Sequence, residues 1–114
     1  MKKQDETLEI RRQRFSDGEI TEHPGGYRTM IAHSGANVSM LLGAASDLLA
    51  YIELPKGHPD VGKSYNNLSP EVNGGLTYGN GRIFGWDYCH AHNDMDVESH
   101  VRNALEYFRG REKR

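Results

Sequence analysis

The sequence predicts an α+β fold, a small antiparallel β-sheet of about four to six strands with one C-terminal helix packed on it. Three observations carry that prediction. Runs of β-branched and aromatic residues such as Tyr27-Arg28-Thr29-Met30-Ile31-Ala32-His33 are separated by glycine- and proline-rich turn clusters. Gly79-Asn80-Gly81 joins two strand-like runs with the residues that a tight hairpin turn demands. From Met95 onward the apolar period changes from two to the helical spacing of Val97, Val101, Ala104, Leu105 and Phe108.

Residues 1–14 read as a charged tail or edge element, in which Leu8 and Ile10 suit an edge strand and a frayed helix equally. A single domain follows over 15–110, with 111–114 as a second charged tail. Asp17-Gly18 and Pro24-Gly25-Gly26 are turn punctuation, and a strand over Tyr27–His33 comes after them. Val38 to Leu54, the most apolar part, fits either one helix broken at Gly43 or two buried strands around Ala44-Ala45-Ser46-Asp47. The Tyr-Ile-Glu-Leu-Pro ending favours strands. Residues 55–71 hold three of the four prolines and read as a long surface loop, a length often associated with function. The hairpin is expected over Val72–Tyr78 and Arg82–Tyr88. The final helix has Asn93 or Asp94 as its N-cap and Gly110 at its end.

The chain of 114 residues suffices for one modest core, and its formal net charge of −2 supplies no basic field for double-stranded nucleic acid or an acidic membrane. One cysteine excludes an internal disulfide and suits a reducing compartment. No apolar stretch approaches a membrane span and no export signal follows Met1-Lys2-Lys3. A cytoplasmic protein is expected.

The chemistry-bearing residues concentrate between Gly74 and Asp94. His90 and His92 share a face if the strand continues. If the chain turns after Tyr88, Asp87, His90, His92 and Asp94 can surround one concavity. Imidazole titrates near neutral pH and a carboxylate can orient it, so Asp87 with His90 or His92 suits acid–base chemistry or a divalent metal site. His58, in Lys56-Gly57-His58-Pro59, is a second acid–base candidate, and Lys56 beside it can neutralise a phosphate. Gly74-Gly75 lies inside a strand-like run, where glycine often marks close approach of a ligand to backbone, with Asn73 before it and Thr77 after it. Arg82 adds a local cation, and Tyr78 and Trp86 offer flat faces to a base. Plainer readings compete. Asp94 is a helix cap, Phe84 and Trp86 are cross-strand packing, Cys89 is a small buried hydrophobe, His23 is a loop residue and His100 lies on the helix surface or partly buried.

Taken together, Leu54-Pro55-Lys56-Gly57-His58-Pro59, Val72-Asn73-Gly74-Gly75-Leu76-Thr77-Tyr78-Gly79 and Phe84-Gly85-Trp86-Asp87-Tyr88-Cys89-His90-Ala91-His92-Asn93-Asp94 resemble a family of small phage and prophage proteins. The likeness covers roughly residues 48–94. It implies a polar set at His58, Gly74, Gly75, Thr77, Asp87 and Asp94, with an Ala-His step at Ala91-His92 or, less directly, at His90. The family has His before its Gly-Gly, where this chain has Asn73; if that histidine is catalytic in relatives, this member binds without turnover. The resemblance implies an anti-defence protein acting on a nucleotide signal. The first expectation is cleavage of a cyclic nucleotide by His/Asp chemistry, with a divalent metal as an open cofactor. The alternatives are a non-catalytic sponge for a cyclic nucleotide or cyclic ADP-ribose-type ligand, in either case as a homo-oligomer, and a protein inhibitor of a host enzyme.

Overall fold

A computed structural model describes residues 6–34, 46–89 and 96–112. The N-terminal ambiguity resolves as a short helix, α1 (Leu8–Arg12), whose N-cap Thr7 accepts from the Ile10 amide. The strands are β1 (Glu19–His23), β2 (Tyr27–His33), β3 (Leu48–Glu53), β4 (Tyr78–Asn80) and β5 (Ile83–Asp87), and the C-terminal helix is α2 (Val97–Gly110). All neighbours pair antiparallel, in the order β1-β2-β3-β5-β4. The α+β expectation therefore holds, with five strands among the described residues.

Alternation along the strands sorts side chains onto two faces. Tyr27, Ala50, Ile52, Leu54, Phe84, Trp86 and Tyr88 meet Ala104, Leu105 and Phe108 of α2 in the main core. Met30, Tyr51 and Ile83 point the other way, where Leu8 of α1 closes a smaller cluster. That second face is tied by charge. Glu53, buried in β3, accepts from the Leu8 amide at 3.0 Å and from Arg28 Nε at 2.8 Å, and Arg28 reaches on to Glu9.

Four expectations change. β1 was not foreseen, because Glu19-Ile20-Thr21-Glu22-His23 has one apolar residue and lies at the sheet edge. Val72–Thr77 is turn and irregular chain, not strand. Gly74 and Gly75 adopt φ of 71° and 81°, the left-handed region that glycine enters without strain, and so turn the chain before a β4 of only three residues. Asn80 pairs with Ile83, so the hairpin turn is Gly81-Arg82. The N-cap of α2 is Asp96, whose carboxylate accepts from the Ser99 amide, in place of Asn93 or Asp94. Of the two strands expected in 38–54, β3 is present, and 38–43 lie outside the described residues.

The loop expected at the surface over 55–71 lies there, with most of its residues exposed, and is pinned at a few points. It carries a 3₁₀ turn at Tyr65–Asn67, buries His58, Asp60 and Leu68 and packs Val61 and Tyr65 against the main core.

Candidate functional site

His58 is 6% exposed, and both ring nitrogens are engaged. Nε2 lies 2.8 Å from the Phe108 carbonyl, which can only accept, so Nε2 carries the proton; Nδ1 accepts from the Asp60 amide at 3.0 Å. The ring stands edge-on to Tyr27 and Phe108. Asp60, fully buried, meets Arg111 at 2.6 and 3.1 Å and Lys63 at 2.9 Å. Burial pushes the Asp60 carboxyl up, but Arg111 and Lys63 outweigh that and hold it below its usual range. His58 and Asp60 thus clamp the 55–71 loop to the end of α2. Lys56 is exposed beside a shallow recess that it shares with His58, the flanking Gly57 and Pro59, and Gly25, Pro55 and Glu112, so these two expected site residues do line one concavity.

Asn73, Thr77 and Asp87 do come together. The Asn73 amide donates to the Asp87 carbonyl at 3.0 Å, Thr77 Oγ1 donates to the Asp87 carboxylate at 3.1 Å, and the Cys89 amide donates to the same carboxylate at 3.1 Å. The last contact is an Asx-type turn that bends the chain out of β5. Gly74 and Gly75 belong to the turn between Asn73 and Thr77. His90, His92 and Asp94 lie outside the described residues.

The His58 and Asp87 clusters are far apart. In the β3–β5 ladder Leu49 pairs with Asp87 and Glu53 with Ile83, a separation of about 13 Å along the strands. The helix gives a matching ruler: Tyr88 contacts His100, whereas His58 contacts Phe108, about 12 Å further along α2. An acid and a base acting on one bond must both lie within hydrogen-bond reach of it, and these two do not.

The remaining expected ligand contacts face inward. Arg82 Nε donates to the Leu54 carbonyl at 2.8 Å, with its guanidinium 3.6 Å from Glu53. Tyr78 carries the Arg11 guanidinium on its ring, 4.1 Å from the centroid, and burial followed by the Glu6 carboxylate pushes its phenol up. Trp86 is 1% exposed, and its indole donates to the Tyr88 hydroxyl at 3.0 Å, which sits 2.7 Å from His100 Nδ1. His100 is therefore a core residue. Among the described residues no group of three or more His, Cys, Asp or Glu is placed to hold a metal ion.

A different concavity has the makeup of a binding site. One helix covers about two strands, and α2 lies over β3 and β5 and reaches Tyr27 of β2, so β1 and the Ile31 end of β2 are left only partly covered on that face. The resulting groove, about 440 Å³, has Ile31, Val97, Val101 and Leu105 as apolar lining and Thr21, His23, Thr29, Glu98 and Arg102 as polar lining. Such a mixture of apolar surface with a few polar groups is the usual composition of small-molecule sites. His23 closes β1 and lies 2.7 Å from Thr29 Oγ1. Burial, then the nearby Arg109 cation, push its imidazole below the ordinary range. Arg102 contacts Ser99 at 3.1 Å and stands four residues after Glu98 on the helix.

Sequence reasoning missed this groove because its parts lie about eighty residues apart in the chain. His23 follows strand residues that look like loop, and Val97, Val101 and Leu105 read simply as core. The signal available was the excess of sheet over helix, since one helix cannot cover five strands. No family model matches this chain, and neither does any curated protein or solved structure. No helix among the described residues is long and apolar enough to cross a membrane.

Proposed function

We propose that this protein is a binding module that sequesters a small anionic ligand with an apolar body, a nucleotide signal of the kind its phage-family resemblance implies, and returns it unchanged. The observation that carries the reading is the makeup of the groove. His58, Asn73, Arg82, Trp86 and Asp87 reach across the fold to distant backbone or side chains, whereas the groove sets the apolar surface of Ile31 and Val101 beside the exposed Arg102, bonded to Ser99 on its own helix, and His23, bonded to Thr29. An anion there would contact Arg102 and the face of the groove nearest Arg109, and its apolar body would cover Ile31 and Val101. Glu98 is the acidic member of the lining and stands one helical turn before Arg102.

Purified protein is incubated with cyclic dinucleotides, cyclic ADP-ribose isomers and mononucleotides, washed, heated, and the released material analysed by mass. Intact ligand is expected. Arg102→Glu should weaken retention at least about tenfold and Glu98→Gln should tighten it, because a charge-assisted hydrogen bond is worth roughly 1.5–3 kcal/mol. Linear products would overturn sequestration in favour of Asp87 acting with His90 or His92. No retention of any compound would overturn the ligand class altogether.

A further inference from the structure

We propose that β1 is a self-pairing edge: two copies join antiparallel about Thr21 into one continuous ten-stranded sheet, and the partner copy completes the groove. β1 is the end of the strand order and is hydrogen-bonded on one side only among the described residues. Its Glu19, Thr21 and Glu22 are exposed. Charged residues on an edge strand normally discourage pairing. In the antiparallel register with all five residues overlapping, they instead match. Glu19 faces the partner's His23, Ile20 faces the partner's Glu22, and Thr21 faces the partner's Thr21, so no like charges lie directly opposite. Parallel pairing in register would set Glu19 against the partner's Glu19 and Glu22 against the partner's Glu22. The partner's Glu22 meets Glu22 only on the diagonal, roughly 7–8 Å away. His23 contacts Thr29 through Nε2, and Nδ1 is not part of that bond.

The pairing changes the groove. In one copy the open floor is β1 and β2 with a single wall, α2. In the pair, four strands spanning about 14 Å form one floor between two α2 helices, and each copy contributes Thr21 and His23 to its centre. That this shared cleft holds ligand rests on the groove reading above; the pairing itself rests on the edge.

Sedimentation equilibrium over a concentration series tests it. Wild type is expected to be a dimer. Glu19→Lys should weaken association at least about tenfold at unchanged melting temperature, by removing the carboxylate that faces the partner's His23 Nδ1. Glu19→Lys with His23→Glu should restore it. In a Cys89→Ser background, Thr21→Cys should yield a disulfide-linked dimer on oxidation, since directly opposed strand residues have Cα atoms within disulfide range. A wild-type monomer, a Glu19→Lys dimer of full strength, or a Thr21→Cys protein that stays monomeric under oxidation would each overturn the inference. A monomer that retains ligand would overturn the pairing and leave the groove reading standing; a dimer that retains none would do the reverse.

Discussion

The two flanks of α2 face the same sheet and are finished differently. On the β4–β5 side the 55–77 segment fills the space, with Leu68 and Leu76 buried, Ser69 donating to the Tyr107 hydroxyl at 2.9 Å and Asn103 donating to the Glu71 carbonyl at 3.0 Å. On the β1–β2 side the wall falls away to a groove lined by Ile31, Val101 and Arg102. The closed flank contains the residues that look catalytic in the sequence, and the open flank contains residues that look ordinary. Polar side chains join distant parts of the chain on the closed flank, whereas on the open flank His23 and Arg102 bond near neighbours, Thr29 and Ser99.

The sharpest way to break this comparison is to attack the closed flank. Asp60→Ala removes a buried carboxylate from Arg111 and Lys63, and loss of one partner of a buried pair costs up to roughly 5 kcal/mol. Lys63 and Arg111 are 45% and 30% exposed and regain water, so the lower figure of about 3 kcal/mol is expected from urea denaturation. His58→Ala strands the Phe108 carbonyl and the Asp60 amide, for a loss of about 2 kcal/mol in the same measurement. Neither variant should lose ligand retention. Asp87→Ala undoes the turn at Cys89 and the Thr77 contact, and about 1 kcal/mol should go.

Acid gives a graded version of the same test. The Arg28 guanidinium holds the Glu9 carboxyl at about 2, against an ordinary value of 4.5. A carboxyl depressed in the folded state stabilises it above the unfolded value, and that contribution disappears as the pH falls from 4.5 toward 2. Asp60, also depressed, acts in the same direction. Stability followed by denaturant titration should therefore decline over that range, and Glu9→Gln should flatten the decline. On the open flank His23 is depressed as well, so its protonation opposes folding and a bound anion should raise its titration midpoint, seen by NMR. An unchanged His23 midpoint on ligand addition would place the anion elsewhere.

Much of the fold was legible. β2 is rich in β-branched and aromatic residues between turn clusters, β3 runs into the Tyr-Ile-Glu-Leu-Pro ending, Phe84, Trp86 and Tyr88 declare the inner face of β5 and its exit, and Val97 to Phe108 declare the apolar stripe of α2. β1 was not, since an edge strand buries little and its Glu19, Thr21 and Glu22 resemble a loop. The Asn73–Thr77–Asp87 association was legible as proximity but not as purpose, because sequence does not tell whether a carboxylate meets a substrate or the Cys89 amide. The partners of His58 were not legible for a nonlocal reason: the groups that engage it and Asp60 include Phe108 and Arg111, about fifty residues further on. Glu53 drew no notice inside Tyr-Ile-Glu-Leu, though a carboxylate in an apolar strand needs partners, and it has them in Leu8 and Arg28.

The smallest expected change in stability carries the largest expected change in function. Arg102→Glu, at an exposed groove position, should cost no more than about 0.5 kcal/mol, as most surface substitutions do. Measuring melting temperature and heat-released ligand side by side for Arg102→Glu and His58→Ala tests the central claim directly. The expected result is that Arg102→Glu melts like wild type and releases little ligand, while His58→Ala melts early and releases intact ligand. An Arg102→Glu protein that retains ligand, with a His58→Ala protein that stays folded and has lost it, would place the site on the closed flank and contradict this account.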